Sequence, residues 1–521
     1  MKNIIFRLEQ MENNFCKNVN KNSLKTAIIS TFVFSMLANA FAYFNFYPQH
    51  DSIYHTFHFA GNWEVSLGRF LLPFYGKIFG DVTLPWIEGI LSICFISLSV
   101  YSISEILKFT DTWQIVLISG FLSANLCITE RAGTFTYVLG AYMLSMFLSC
   151  QGVYLLIEYQ SMWAKLLAVL CFVCSLGIYQ GEIAVGIALL VFCLIRDAFQ
   201  DQKFSEIIKK WIPIGVVLIC SSLIYYILYK LALAVYGIEA ANSYNSLSNL
   251  ANVSLKSLVS VTIGCYKAFV NFFFGSECII GTVIARSCNI IFGVLTLGIL
   301  LRHFLVHKMQ WYNKAIIILV IMAFPGIACM MNIMMLKGKL SFYVLYALFL
   351  YYVLCLLIIK ECSDDFKKLY WAGIVKRVLI LCFAAIMFQN VTFSNETYIY
   401  QKVMYDRAVS VAGNILNSIE TCTEYEAGET EVILIGELQK NDGFSRFSEK
   451  ADLTGGEVLS ITYNQTFGSF AKLLGYKFNR LSDTVVVEQY KNCQEVLEMP
   501  AYPKEGYWQM IDGKLVIKLS E

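Results

Sequence analysis

The sequence has little charge. Only 15% of its 521 residues are Asp, Glu, Lys or Arg, against 57% hydrophobic residues and a mean hydropathy of +0.59. Soluble domains carry about 25% charged residues, so this composition excludes an ordinary soluble chain and points to an integral membrane protein with many spans. Histidine is scarce, with five in all. No internal repeat is visible, and no low-complexity linker. No cleavable signal peptide is evident, because the first apolar run follows a 25-residue polar segment and is long enough to stay as an anchor. A net charge of +2 gives no basic footprint, and nucleic acid is not expected as a partner. Cysteine is plentiful at 17, but most lie in apolar runs (Cys94, Cys171, Cys174, Cys220, Cys355) and read as small buried hydrophobes. Cys422 and Cys493 fall in the polar tail, where one disulfide between them is open.

Apolar runs of about 17–25 residues read as transmembrane helices. Eleven are expected, at 26–46, 84–107, 112–129, 134–157, 164–179, 182–199, 212–236, 279–301, 315–335, 340–359 and 376–393. The positive-inside rule sets the orientation. With the N-terminus in the cytoplasm, the cytoplasmic segments hold 19 Lys and Arg and the outer loops seven: Arg69, Lys77, Arg131, Lys256, Lys267, Lys337 and Lys339. Lys230 and Arg286 lie at membrane depth. Residues 64–80 and 259–275 are expected as in-plane helices at the outer surface. The turn from Ser175 to Glu182 is a polar connection that should face protein or a cavity rather than lipid.

The expected fold is therefore an α-helical polytopic membrane unit over residues 1–393, followed by a small extracytoplasmic α/β domain over 394–521. The charge balance divides there. Residues 393–521 hold 12 Lys and Arg against 19 Asp and Glu, and the preceding residues hold 28 against 19. The tail opens with an amphipathic stretch, Tyr398 to Ile419. Glu431–Gly436 and Thr484–Glu488 are predicted as strands, and Tyr507–Leu519 as a hairpin turning at Asp512-Gly513.

What charge there is gathers at the expected outer side. Three of the five histidines (His50, His55, His58) share the first outer loop with Asp51, Glu64 and Arg69. Glu130, Arg131, Glu182, Lys230, Arg286, Lys337 and Lys339 lie in the outer third or just beyond it. Intramembrane charges are costly and are kept for function or for pairing. Asp51, flanked by His50 and by aromatics including Trp63, is the candidate general base; a solvated loop carboxylate is the competing reading. Arg69, after Gly68, has the planar fork that suits phosphate, or it snorkels at the interface. Lys230 and Arg286 either pair with Glu182 or Glu130 or hold a lipid phosphate. His50, Asp51, His55 and His58 contain metal-ligand types, but a loop without known geometry does not make a zinc site. No metal or other cofactor is expected.

The early outer-loop Asp51, then Trp63-x5-Arg69 in Trp-Glu-Val-Ser-Leu-Gly-Arg-Phe-Leu-Leu-Pro, then Tyr179-Gln180 at a helix turn, together resemble the Gtr-type glucosyltransferases of bacteria and phages. These are GT-C-like membrane enzymes that modify O-antigens and related surface glycans. The resemblance spans about residues 25–390. Members often carry two adjacent acids where this chain has His50-Asp51, and an arginine where it has Lys337-Gly-Lys339. The resemblance implies inverting transfer of a sugar, commonly glucose, from polyprenyl phosphate to a surface polysaccharide outside the cytoplasmic membrane. It implies as partners the donor lipid, the polysaccharide acceptor, the surrounding membrane lipid, and a donor-lipid synthase and flippase in the same pathway. A lipid-linked oligosaccharide flippase is the alternative, and a membrane acyltransferase a more distant one. A transporter would need polar residues through the full depth, often in repeated halves; here the charges are biased to one side.

Overall fold

The structure, a computed structural model, describes residues 20–48, 51–57, 61–78, 82–241, 254–275, 282–335, 342–363, 371–436, 464–481 and 483–520. Helix α1 (Lys21–Phe44) starts at Asn20, whose side chain accepts from the Ser23 N–H. Three short helices follow: α2 (Asp51–Tyr54), α3 (Asn62–Ser66) and α4 (Leu72–Ile78). Helix α5 (Pro85–Leu107) opens on a proline, which has no N–H to leave unpaired in the first turn. Helices α6 (Thr112–Ser123) and α7 (Leu126–Thr134) are bent by 41° from one another. Next come α8 (Leu139–Glu158), α9 (Met162–Ile178), α10 (Ile183–Phe199) and α11 (Phe204–Tyr236). Gly237, at φ 64°, ends α11 in the left-handed turn that glycine accepts most readily. Then follow α12 (Leu255–Phe274), α13 (Val283–Val306), α14 (Trp311–Ala328), the single turn α15 (Met330–Met334), α16 (Leu350–Glu361) and α17 (Trp371–Glu420).

Among the described residues eight helices are long and apolar enough to cross a membrane, or nine if the bent α6–α7 pair is one span. The difference from the expected eleven has local causes. Helices α9 and α10 are 17 residues each, about 25 Å at helical rise. The expected span at 340–359 divides into 3-10 turns (Phe342–Val344 and Tyr346–Phe349) and the 12-residue α16. Helix α12, expected in-plane, is long and apolar enough to cross a membrane. Its aromatic contacts nevertheless fall at one end of its neighbours: Phe269 on Phe324 of α14, and Phe273 on Tyr351 and Tyr352 of α16.

The break between α6 and α7 frees backbone carbonyls inside the bundle, and side chains satisfy them. Asn39 donates to the Ser123 carbonyl at 3.1 Å, Asn390 to that of Ala124 at 2.7 Å, and Tyr346 to that of Leu122. Irregular backbone at membrane depth survives only with such partners. The Ser175–Glu182 turn is handled the same way: Ser145 Oγ donates to the Ser175 and Tyr179 carbonyls at 2.9 and 3.0 Å. That turn is buried in protein, as its polarity requires.

Helix α17 runs unbroken for 50 residues through the expected domain boundary at 393, about 75 Å at helical rise, and carries the tail on its C-terminal half. The tail has α18 (Asn464–Leu473), α19 (Thr484–Lys491) and α20 (Gln494–Glu498), with strands β1 (Glu431–Ile435), β2 (Asn479–Arg480), β3 (Trp508–Ile511) and β4 (Lys514–Lys518). The sheet order is β2-β1-β4-β3. Strand β1 runs parallel to both neighbours, and β3 and β4 form the predicted hairpin, with Asp512 and Gly513 both at positive φ. The strand predicted at Thr484–Glu488 is instead the start of α19. Asp483 caps it, accepting from the Val485 and Val486 N–H groups, and Val485 is 66% exposed. A cap outweighs the β preference of three valines that, among the described residues, no second strand covers. Cys422 and Cys493 are both free thiols.

Candidate active site

The segment from α2 to α4 is bent onto the start of α8 and onto the α9–α10 turn. Glu64 caps its own helix, accepting from the Gly61 N–H at 2.7 Å, while its other oxygen faces His55 Nε2 at 3.4 Å. Gly68, at φ +90°, turns the chain toward α4. A Cβ there would collide with the Tyr225 hydroxyl and with Gln180 Nε2, and the positive φ strains any other residue, so glycine is favoured. Gln180 donates to the Leu67 carbonyl at 2.8 Å and to Tyr225 Oη at 2.9 Å, and Tyr225 donates to the Gly68 carbonyl at 3.2 Å. The Leu71 N–H reaches the Gly177 carbonyl at 2.9 Å. Gln180 thus holds the Arg69 turn in place, and the two motifs form one structural unit.

Two buried tyrosines gather the charges. The His55 ring stacks on Tyr137 with ring centres 4.2 Å apart, and the His55 backbone N–H donates to the Asp51 carbonyl at 3.3 Å, which sets Asp51 one helical turn away. Tyr142 stacks on Tyr179 with ring centres 3.8 Å apart. Arg69 lies over Tyr179 at 4.9 Å and donates to Tyr142 Oη at 3.2 Å; its Nε is buried with no hydrogen-bond partner. Asp51 and Arg69 are both partly buried, so each keeps some access to solvent.

Arg131 approaches the same tyrosine pair but is engaged elsewhere. It is ion-paired with Glu182 at 2.5 Å, both side chains fully buried, and its Nε donates to the Tyr343 carbonyl at 2.8 Å. Glu130 takes a hydrogen bond from the Tyr343 backbone, and its Oε2 is buried without a partner. Glu130 and Arg131 together pin the 3-10 segment that begins at Phe342.

The other sequence candidates lie apart from this cluster or outside the described residues. Lys230 is exposed on α11, with its ammonium over the Tyr226 ring at 5.7 Å. Arg286 sits in the first turn of α13, its Nε buried without a hydrogen-bond partner. Trp63 is 51% exposed at the start of α3. His50, His58, Lys337 and Lys339 lie outside the described residues. Among the described residues no group of three or more His, Cys, Asp or Glu is placed to hold a metal ion. Sequence reasoning missed Tyr137, Tyr142 and Tyr225. Their only signal is a phenol within an apolar run, which also reads as core packing or as an interfacial anchor.

This arrangement offers a carboxylate, an arginine with unused donor capacity and an aromatic floor, all at one end of the helical bundle. No curated protein and no solved structure matches the chain. Among protein families, residues 40–357 match Glucosyl transferase GtrII, a stretch that contains the Asp51–Arg69 segment, both tyrosines and the Arg131–Glu182 pair. With more than half its length matched, the chain belongs to the GtrII glucosyltransferase family.

Proposed function

We propose that this protein transfers glucose from a polyprenyl-phosphate donor to a cell-surface polysaccharide at the outer face of the cytoplasmic membrane, with inversion at the anomeric carbon. The observation that carries the reading is the placement of Arg69 on the Tyr142–Tyr179 stack with a buried, unpartnered Nε, next to the His55–Glu64 pair on Tyr137, in a chain otherwise poor in charge. In this scheme the acceptor hydroxyl attacks the anomeric carbon as the bond from that carbon to the phosphate oxygen breaks. Asp51 takes the hydroxyl proton, and a positioned base of this kind contributes about 10²–10⁴-fold. The phosphate leaves with its charge against Arg69, whose fork suits two phosphate oxygens. Glu64 orients His55 and shapes the turn rather than reacting. The surrounding membrane delivers the lipid donor, which a synthase must make and a flippase must bring across.

The deciding experiment is transfer by the purified protein with polyprenyl-phosphate glucose. Release of polyprenyl phosphate, coupled to labelling of the polysaccharide, is the expected result. Movement of lipid-linked sugar across a vesicle membrane with no release of polyprenyl phosphate would replace this reading with the flippase. Cysteine labelling of intact cells should also reach the residue 51 side and the tail. A tail labelled only after lysis contradicts an external site.

A further inference from the structure

The short helix that carries Asp51 does not belong to the membrane core alone. Ile53, 4% exposed, is buried in the apolar cluster of the C-terminal domain, together with Phe467, Phe470, Phe478, Ala412 and Leu434. Helix α18 of that domain packs directly on α2. The opposite side of α2 is tied to the membrane unit, with Ser52 Oγ donating to the Thr134 carbonyl at 2.7 Å. The Asp51 helix is thus a wedge between the two units.

The same domain brings a cation to this wedge. Arg480, on β2, runs its stem alongside α18 at Gly468, where a Cβ would stand 3.7 Å from the arginine's own Cβ and Cδ. Helix α18 in turn packs on α2, where Tyr54 stands three residues beyond Asp51. The Arg480 Nε is buried with no hydrogen-bond partner, and partial burial pulls the arginine's pKa down from its usual value. Tyr54 is itself 36% exposed. A partly desolvated guanidinium with an unused donor, its stem along the helix that seats a partly exposed tyrosine, is suited to a saccharide: the fork binds adjacent hydroxyls and the ring takes a sugar face.

We propose that the C-terminal domain is a working part of the transfer site: it positions the Asp51 helix through Ile53 and uses Arg480 with Tyr54 as a subsite for the acceptor saccharide. This rests on the glycosyl-transfer reading above. It goes further by giving the acceptor a place that includes Arg480, a residue outside the segment that matches the family. Arg480 is an acceptor-binding residue here, and Ile53 is a positioning residue that acts through Asp51.

The test uses the full chain in membranes, with polyprenyl-phosphate glucose as donor and, as acceptor probe, polysaccharide extracted from the cell that makes the protein. Arg480→Ala should raise the acceptor KM about tenfold while kcat at saturation changes less than the KM, and Arg480→Lys should recover part of the loss. Ile53→Ala should instead lower kcat with little change in acceptor KM, and Ile53→Val should restore it. Lys491→Ala, on the exposed face of α19 in the same domain, should alter neither. An unchanged acceptor KM in Arg480→Ala overturns the subsite. Should Arg480→Ala be poorly folded by its thermal unfolding profile, Arg480→Lys decides, and a normal acceptor KM there overturns the proposal equally. Asp51→Asn in the same assay separates the two levels. Loss of transfer in Asp51→Asn with a normal Arg480→Ala removes only the subsite, whereas normal transfer in Asp51→Asn removes the base assignment itself.

Discussion

Two arginines face the same pair of stacked tyrosines, and they are not equivalent. Arg131 is fully buried, neutralised by Glu182 and fixed to the Tyr343 carbonyl. Arg69 is partly exposed, has a tyrosine hydroxyl as its hydrogen-bond partner, and among the described residues has no carboxylate against it. A buried cation without its counter-ion is strongly unfavourable, so Arg131 and Glu182 must be kept or lost together. A cation left unneutralised in a partly desolvated site is poised for an anion that is not part of the protein. On the proposed reading the difference separates what holds the fold from what meets the substrate, although the sequence presents both residues alike as arginines at the outer end of helical segments.

The largest expected effect lies on the structural side. Arg131→Met alone should destabilise the protein by about 3–5 kcal/mol, because Glu182 is left buried and unpaired. Thermal unfolding in detergent reads this directly. The double variant Arg131→Met with Glu182→Leu should recover most of the loss. If the double variant is no more stable than the single, the pair is not the reason both residues are present.

Arg69 should behave in the opposite way. Arg69→Ala should leave the unfolding temperature nearly unchanged and weaken donor binding about 10- to 100-fold, the range for a charge-assisted hydrogen bond of ~1.5–3 kcal/mol. Arg69→Lys should recover only part, having lost the bidentate fork. Unchanged donor affinity would make Arg69 an interfacial anchor. The smallest effect belongs to Lys230, exposed over Tyr226: Lys230→Ala should change stability by less than about 0.5 kcal/mol and leave donor affinity alone. A large loss of donor binding there would relocate the phosphate site to α11.

Legibility in the sequence followed physical contrast. Asp51, Glu64 and Arg69 stood out because charge is rare in this chain, and Tyr179-Gln180 because a polar turn joins two apolar runs without a loop. Tyr137 and Tyr142 did not stand out, since an aromatic residue in an apolar helix looks the same whether it lines a site or fills a core. Pairing was equally hidden. Glu130, Arg131 and Glu182 read as site candidates, yet Arg131 spends its charge on Glu182, and with Glu130 it holds the backbone at Tyr343. In the tail, the Asp512-Gly513 hairpin was local turn chemistry and could be read. The helix at Thr484 depended on an aspartate cap against three β-branched residues, and on the lack of a partner strand that only the tertiary fold reveals. The packing of Ile53 into the tail joins residues more than four hundred positions apart, and nothing local announces it.

The account turns on Asp51 as the group that takes the acceptor proton. The most direct measurement is single-turnover transfer from bound polyprenyl-phosphate glucose by Asp51→Asn, with donor binding measured on the same preparation. Asparagine keeps the shape and hydrogen bonding of the side chain but removes its basicity. The account predicts normal donor binding and transfer slowed by at least about a hundredfold, within the range for a positioned base. Transfer at the unmodified rate would contradict it and move the search for the base to Glu64 and Glu130.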